Sequence, residues 1–288
     1  DVLIIGAGAG GLAAAVTARH HGLDVIVAEK TPVFGGATAR SGGWIWMPCH
    51  PFQQAIGISD SREEAERYLL HEAGERYDAE RIDAFLTHGP RMVAFFTRET
   101  AVQFTPSSTY PDYHPDAPGG KIAGRALVAA NFDGRALGAL LAKLRRPLPE
   151  LLLLGMAIGS GDELGHFQRA TRSLGSFAYV ARRLAGHAGE MLLYGRGVRL
   201  TNGNALVGRL LKAAVDAGVK LWDSAAAREL IIGEGAVRGA VIVRDGETVH
   251  VEARRGVVLA CGGFPRDAER RKRLFPHREH WSPAPESC

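Results

Sequence analysis

The sequence predicts an α/β fold: a doubly wound parallel sheet with a β-meander and a helical insertion. Three observations lead to this fold class. Residues 1–30 carry a strand–turn–helix–strand pattern, which favours parallel pairing. Residues 225–252 carry short apolar runs separated by tight turns, which favour antiparallel pairing. Between these segments, residues 47–197 consist mainly of helical patterns, so we expect them to form an insertion.

The first 30 residues have the pattern of a dinucleotide site. An apolar strand at residues 2–5 enters a glycine-rich turn, and an alanine-rich helix at 12–20 follows it. A second strand at 25–28 ends at Glu29, the acid expected about 20 residues on. The turn glycines have the G-x-G-x-x-G spacing: Gly6, Gly8 and Gly11. A glycine-rich turn in an ordinary α/β domain is the alternative, but the complete order of elements favours a dinucleotide.

Each of these residues has a physical role in such a site. Gly6 allows the tight turn, Gly8 lets the backbone approach a pyrophosphate, and Gly11 lets helix and strand pack closely. The helix N-terminus offers free N–H groups and a partial positive charge to phosphates. Glu29 is placed to accept hydrogen bonds from a ribose diol.

Two double glycines bracket the next loop, at residues 35–36 and 42–43. Their spacing indicates backbone pressed against an extended ligand, and the hydroxyls of Thr38 and Ser41 can bond a second phosphate or a ring system. A long surface loop is the alternative, but the apolar residues 44–46 that follow disfavour it.

Lys30 after the acid, GGAT at 35–38 and SGG at 41–43 resemble the FAD-binding domain of the fumarate reductase and 3-ketosteroid dehydrogenase superfamily. The segment SGGWIWMP is especially similar to the 3-ketosteroid Δ1-dehydrogenase branch. The resemblance implies a Rossmann-like FAD domain. It also implies non-covalent FAD, since residues 37–41 lack the histidine that links covalently to the flavin in the succinate dehydrogenase branch.

The later segments complete this comparison. By resemblance, the predicted meander at 225–252 supplies backbone contacts to adenine near Ala226, and a buried strand at 256–264 returns to the cofactor. Cys261 in that strand is interpreted as a buried small residue rather than a nucleophile. The candidate FAD-binding residues are Gly6, Ala7, Gly8, Ala9, Gly10, Gly11, Glu29, Lys30, Gly35, Gly36, Ala37, Thr38, Ser41, Gly42, Gly43, Ala226, Cys261 and Gly262.

The insertion contains a proline-stiffened loop with two tyrosines, at residues 104–124. Stiff loops can hold aromatic hydroxyls over a pocket. The segment YPDYHPDAPGG resembles the part of the Δ1-dehydrogenases that carries an active-site tyrosine, which implies a catalytic role for Tyr113 first and Tyr110 in reserve. A tyrosine-bearing surface loop is the alternative. Elsewhere in the insertion, Gly89–Pro90 predicts a break or kink in a helix at 81–99. Arg172, Arg182 and Arg183 are expected on a helix surface, with contact to an anionic substrate as the alternative.

Composition limits the class of protein. Of 288 residues, 46% are hydrophobic and 23% charged, which excludes wholesale disorder. The formal net charge of +4 is mild and the arginines are spread out, so we expect no nucleic-acid partner. The most apolar run, residues 151–158, is too short for a transmembrane segment. Three distant cysteines predict no disulfide framework and no metal site, and favour the cytoplasm.

The function implied by the resemblance is FAD-dependent 1,2-desaturation of a 3-keto steroid or similar apolar cyclic ketone, with a separate electron acceptor. A fumarate- or enoate-reductase-like flavoprotein and a non-catalytic flavin-binding fragment are the alternatives. We expect residues 1–264 to be the FAD-binding domain, with the insertion at about 47–197, and residues 265–288 to begin a substrate-capping domain. Because the sequence lacks an initial Met and a closing element, we expect it to be a fragment. The resemblance implies further tyrosines and a final FAD-binding segment beyond residue 288, so we expect residues 1–288 alone to bind FAD weakly and show no turnover.

Overall fold

The computed structural model describes residues 1–275 and 282–287. These residues group into two compact units. The first unit comprises residues 1–43 and 131–288, and the second unit is Trp44–Ala130. The expected boundary near residue 264 and the insertion at 47–197 stay predictions.

The chain contains helices and strands along its whole described length. The helices are α1 (Ala9–His20), α2 (Arg62–Ala73), α3 (Ala79–Glu99), α4 (Leu140–Lys143), α5 (Asp162–Gln168), α6 (Leu174–Tyr194), α7 (Asn202–Asp216) and α8 (Ala268–Leu274). The strands are β1 (Val2–Ile5), β2 (Val25–Ala28), β3 (Trp44–Trp46), β4 (Phe104–Pro106), β5 (Ala126–Ala129), β6 (Phe132–Asp133), β7 (Leu152–Leu153), β8 (Met156–Ala157), β9 (Arg199–Leu200), β10 (Lys220–Trp222), β11 (Ala225–Gly233), β12 (Ala236–Arg244), β13 (Glu247–Glu252) and β14 (Gly256–Leu259). None of the helices in the described part of the chain is both long and apolar enough to cross a membrane.

A parallel sheet forms the centre of the first unit, in the order β10-β2-β1-β14. The apolar runs predicted at residues 2–5 and 25–28 are its two inner strands, paired in register from Val2 and Val25. Leu3 and Ile5 pack on meander residues such as Ala240 and Ile242, so one face of the sheet is buried under the meander. Each such Leu or Ile side chain contributes about 1.5–3 kcal/mol by burial.

The meander β11-β12-β13 is antiparallel, as predicted. Asp245 and Gly246 join its last two strands with φ of 53° and 83°, the positive values that a tight Asp-Gly hairpin turn requires. A bulge interrupts the first pair between Ala227 and Glu229. The parallel sheet, the meander and the helices confirm the predicted α/β class.

The second unit combines the antiparallel sheet β3-β5-β4 with helices α2 and α3. Met47, Val93 and Leu127 form its core. The predicted break at Gly89–Pro90 is wrong, since α3 runs through both residues, and the alternative of a kink there stays a prediction. A Cβ on residue 89 would lie 2.3 Å from the Met47 sulfur, so glycine there allows close packing beside the helix.

Two expectations about burial are also wrong. The strand predicted at 256–264 ends at Leu259, which is 60% exposed, and Cys261 is exposed as well. Within the described residues, β14 is an edge strand of the parallel sheet, and its last two residues, Val258 and Leu259, are exposed. Arg183 is buried rather than on a helix surface, because its guanidinium pairs with the buried Glu163 at 2.8 Å.

Candidate functional site

A cavity of about 650 Å³ in the first unit lies at the N-terminus of α1. It brings together predicted residues from the opening turn, the end of β2, the double-glycine loop, the meander and the segment after β14. The predicted residues that line it are Gly6, Ala7, Gly8, Ala9, Gly10, Glu29, Lys30, Gly36, Ala37, Thr38, Ala226, Cys261 and Gly262. Segments more than 200 residues apart in sequence therefore converge on one cavity.

Two glycines of the opening turn are required by the protein's own packing. Gly6 has a φ of 105°, and a Cβ there would lie 2.3 Å from the carbonyl oxygen of Ala260. A Cβ on Gly11 would lie 1.9 Å from the carbonyl oxygen of Gly6. Any side chain at either position would clash with backbone, as the tight turn and close helix–strand packing predict.

Gly8 and Gly10 are not required by the protein's own packing. Gly8 has an ordinary φ of −79°, and the nearest atom to a Cβ there is the Thr38 hydroxyl oxygen at 3.6 Å. A Cβ on Gly10 would meet no described atom within 4 Å. Both residues face the cavity, so they leave a backbone cradle that a ligand can approach closely.

The N-terminus of α1 offers hydrogen-bond donors to this cradle. The amide of Ala9 donates to the Thr38 hydroxyl at 3.1 Å. Within the described residues, no acceptor lies opposite the amides of Gly10 and Gly11, in the first turn of the helix. Unpaired N–H groups at the positive end of a helix dipole are suited to a phosphate anion.

Glu29 is buried and held in one orientation. One carboxylate oxygen accepts from the amide of Ala7 at 3.0 Å, and the other accepts from the amide and hydroxyl of Thr31 at 3.1 and 2.9 Å. These bonds tie the end of β2 to the opening turn. A carboxylate oxygen can accept more than one hydrogen bond, so Glu29 retains capacity for a ligand hydroxyl.

Several predicted cofactor residues do not line the cavity: Gly11, Gly35, Ser41, Gly42 and Gly43. The Ser41 hydroxyl donates to the Thr38 carbonyl at 2.8 Å and accepts from the amide of Gly43 at 3.1 Å. A Cβ on Gly35 would lie 2.8 Å from that of Ala39. Ser41, Gly43 and Gly35 therefore shape the loop that carries Thr38. A direct cofactor contact from any of the five residues that do not line the cavity stays a prediction.

The sequence analysis did not single out two basic residues of the cavity wall, Arg145 and Arg228. Arg145 donates to the Thr31 hydroxyl at 2.9 Å, so it supports the residue that holds Glu29. Arg228 occupies the bulge of β11. Neither residue belongs to a sequence motif, and no local sequence pattern predicts the bulge at Arg228.

The two candidate catalytic tyrosines lie at a cavity of about 340 Å³ in the second unit. Tyr110 stacks on Trp44 with ring centroids 4.6 Å apart, whereas Tyr113 is 90% exposed. The wall of this cavity is mostly aromatic and apolar: Trp44, Ile45, Trp46, Tyr68, Leu69, Glu72, Tyr110, Pro111, Asp112, Tyr113 and Ala126. A wall of this composition is typical of a pocket for an apolar small molecule.

A buried ionic cluster lies beside the aromatic cavity, and the sequence analysis missed it. The Arg125 guanidinium makes a two-bond pair with Asp60, at 2.7 and 2.9 Å, and a third bond to Asp112 at 2.9 Å. Their side chains are at most 2% exposed. Burial alone would raise the pKa of Asp60, but the hydrogen bonds and charge of Arg125 outweigh it and lower that pKa.

Comparisons with known proteins identify relatives of this chain. A 4-oxocyclohex-2-ene-1-carboxylate 5-dehydrogenase of Sinomonas cyclohexanicum is 41% identical over 288 residues, covering 98% of this chain and 48% of that protein. A 3-oxosteroid 1-dehydrogenase of Mycobacterium tuberculosis (strain H37Rv) is 37% identical over 280 residues, covering 94% and 48%. The chain thus spans about half the length of the curated relatives it matches.

A solved structure extends the comparison to the fold. The crystal structure of a 3-ketosteroid Δ1-dehydrogenase from Sterolibacterium denitrificans, in complex with 1,4-androstadiene-3,17-dione, matches with a TM-score of 0.89 and 33% identity. The match covers 99% of this chain and 52% of that one. The family described as FAD binding domain matches residues 1–288. The chain therefore belongs to the FAD binding domain family, and its cofactor is FAD.

Proposed function

We propose that the protein containing this chain is an FAD-dependent oxidoreductase that desaturates a 3-keto steroid or a similar apolar cyclic ketone between the carbons α and β to the carbonyl. The observation that carries the proposal is the aromatic cavity lined by Tyr110 and Tyr113. Two further facts support it. The chain belongs to an FAD-binding family, and its relatives include dehydrogenases of 3-oxosteroids and of a cyclic oxo-carboxylate.

The residues at the N-terminus of α1 fit FAD. The cradle at Gly8 and Gly10 leaves room for a pyrophosphate, and the helix N-terminus offers it N–H donors. Glu29 would accept from the ribose diol, and the backbone near Ala226 would hold adenine. Residues 37–41 contain no histidine, which supports non-covalent binding.

The chain's own residues then supply proton transfer and substrate placement. Bound FAD would supply the acceptor for the hydride that leaves the β carbon. Tyr113, as the phenolate, takes the α proton, so that two C–H bonds break and one C=C bond forms. The ring of the substrate lies against the aromatic wall, and Tyr110 is the reserve candidate for the proton acceptor. A separate electron acceptor then reoxidises the protein. The wide spacing of the cysteines supports a cytoplasmic location.

An anaerobic titration of the intact protein tests this function. Adding a 3-keto steroid should bleach the flavin absorbance and yield one equivalent of the 1,2-unsaturated ketone. The matching 3-hydroxy steroid is the control, because without a carbonyl its α C–H is not acidic and the flavin should stay oxidised.

Other outcomes of the titration identify the alternatives. If the ketone leaves the flavin oxidised and fumarate reoxidises chemically reduced protein, the protein is a fumarate-reductase-like enzyme. An intact protein purified without flavin absorbance, and unable to acquire it from added FAD, would support the non-catalytic fragment.

A further inference from the structure

We propose that Asp112, held between Trp46 and Arg125, is a positioning residue that fixes Tyr113 at the aromatic cavity. The inference rests on the proposed function, because it gives Tyr113 the catalytic role. The buried cluster that holds that tyrosine corresponds to no sequence motif.

Asp112 is the fixed point of the tyrosine loop. Its carboxylate accepts from the indole N–H of Trp46 at 2.7 Å, from the amide of Lys121 at 2.9 Å and from Arg125 at 2.9 Å. Its own amide donates to the Lys121 carbonyl at 2.9 Å. Asp112 therefore closes the loop on itself and ties it to β3 and to the residue preceding β5.

Arg125 is itself immobilised. Its two-bond pair with Asp60 leaves one nitrogen for Asp112, and that nitrogen also donates to the Gly119 carbonyl at 2.9 Å. The guanidinium lies 5.7 Å from the ring centroids of both Trp46 and Tyr68. A planar, fully bonded guanidinium in a buried site holds its partners in one geometry.

Tyr113 lacks such anchors of its own. Its hydroxyl makes no hydrogen bond among the described residues, and Tyr113 is 90% exposed. The backbone is held on both sides instead: Asp112 precedes it, and the amide of His114 donates to the Tyr68 hydroxyl at 3.3 Å. The position of the Tyr113 phenol therefore depends on the residues on either side of it in the chain, Asp112 and His114. Of these two, Asp112 is buried.

A double-mutant cycle on the intact flavoprotein tests this inference, with kcat for ketone desaturation as the measurement. Misplacing a reacting group by about 1 Å can cost about 100-fold, so we expect Asp112→Asn to lower kcat at least about tenfold while Tyr113 is present. In the Tyr113→Phe background the same substitution should change kcat less than about twofold, since no phenol remains to be positioned.

Two further variants keep the test informative. If Asp112→Asn fails to fold, Trp46→Phe takes its place, since it removes one hydrogen-bond donor to Asp112 but retains an aromatic ring. We expect Trp46→Phe to show the same non-additivity with Tyr113→Phe, with a smaller loss of kcat. Asp116→Asn removes an exposed carboxylate from the same loop and should leave kcat unchanged.

The outcomes separate the two proposals. Equal losses from Asp112→Asn with and without the Tyr113 hydroxyl would overturn the positioning role and leave the proposed function standing. A Tyr113→Phe variant as active as the parent would overturn the catalytic role of Tyr113 and, with it, this inference.

Discussion

The glycines of the opening turn differ in what surrounds them. A Cβ on Gly6 would lie 2.3 Å from a backbone carbonyl oxygen, and a Cβ on Gly11 would lie 1.9 Å from another. The folded backbone therefore leaves no room for a side chain at either position. A Cβ on Gly8 would make an ordinary contact with the Thr38 hydroxyl, and one on Gly10 would meet no described atom within 4 Å, so neither position needs glycine for the protein's own packing. The same sequence motif thus combines residues needed for the fold with residues that we propose serve the cofactor.

Replacing Gly8 by Ala should weaken FAD binding without destabilising the apoprotein. The added methyl group enters the cradle, so we expect the Kd for FAD to rise at least about tenfold, or about 1.4 kcal/mol. The free energy of unfolding of the apoprotein should change by less than about 0.5 kcal/mol. Flavin fluorescence titration and urea unfolding measure the two quantities.

Gly11→Ala is the matched control for that prediction. Because its methyl group would collide with the Gly6 carbonyl, we expect the apoprotein to lose about 1–3 kcal/mol of stability. A Gly8→Ala protein that unfolds as easily as Gly11→Ala would show that Gly8 serves folding rather than FAD.

Helix α3 shows how an element overrides a local signal. Pro90 lacks the N–H that would bond the Leu86 carbonyl, yet the helix continues to Glu99. Buried Leu86, Val93 and Phe96 lie on both sides of the proline, and their packing holds the helix together. Sequence propensity predicts the local cost correctly but not the tertiary packing that outweighs it.

Pro90→Ala should therefore stabilise the protein, by about 1–3 kcal/mol, because it restores a helical hydrogen bond and removes a steric clash. The thermal unfolding midpoint measures this effect. Gly89→Ala, at the next position, should lower the midpoint, since its methyl group would meet the buried Met47 sulfur. A lower midpoint for Pro90→Ala would contradict our explanation of the helix.

At the scale of the whole molecule, features set by neighbouring residues were predictable. The strands at 2–5 and 25–28 and the turn at Asp245–Gly246 follow from short-range patterns. The cluster of Arg125 with Asp60 was not, because its partners are 65 residues apart and each polar residue alone suggests a surface position. The exposure of Cys261 likewise depends on the edge position of β14, which no local pattern encodes.

The Asp60–Arg125 pair should contribute to acid unfolding. Since folding lowers the pKa of Asp60 below its ordinary value of 3.8, its stabilising effect is complete above that pH and is lost as the pH falls below it. Asp60→Asn should cost about 3–5 kcal/mol at neutral pH, because it leaves the buried Arg125 with one anionic partner fewer.

The same variant should lose less further stability on acidification than the parent does. Urea unfolding at neutral pH and below about pH 4 measures both effects. Parallel pH dependences for the variant and the parent would contradict the role of Asp60 in acid unfolding.

The most direct test of the proposed chemistry is the rate at which a 3-keto steroid reduces the flavin of the intact protein in anaerobic stopped flow, with and without the Tyr113 hydroxyl. Proton transfer by a positioned side chain contributes about 100- to 10,000-fold, so Tyr113→Phe should slow flavin reduction at least about 100-fold while FAD stays bound. Equal rates in the two proteins, or no reduction in either, would contradict the assignment of this chain to ketone desaturation through Tyr113.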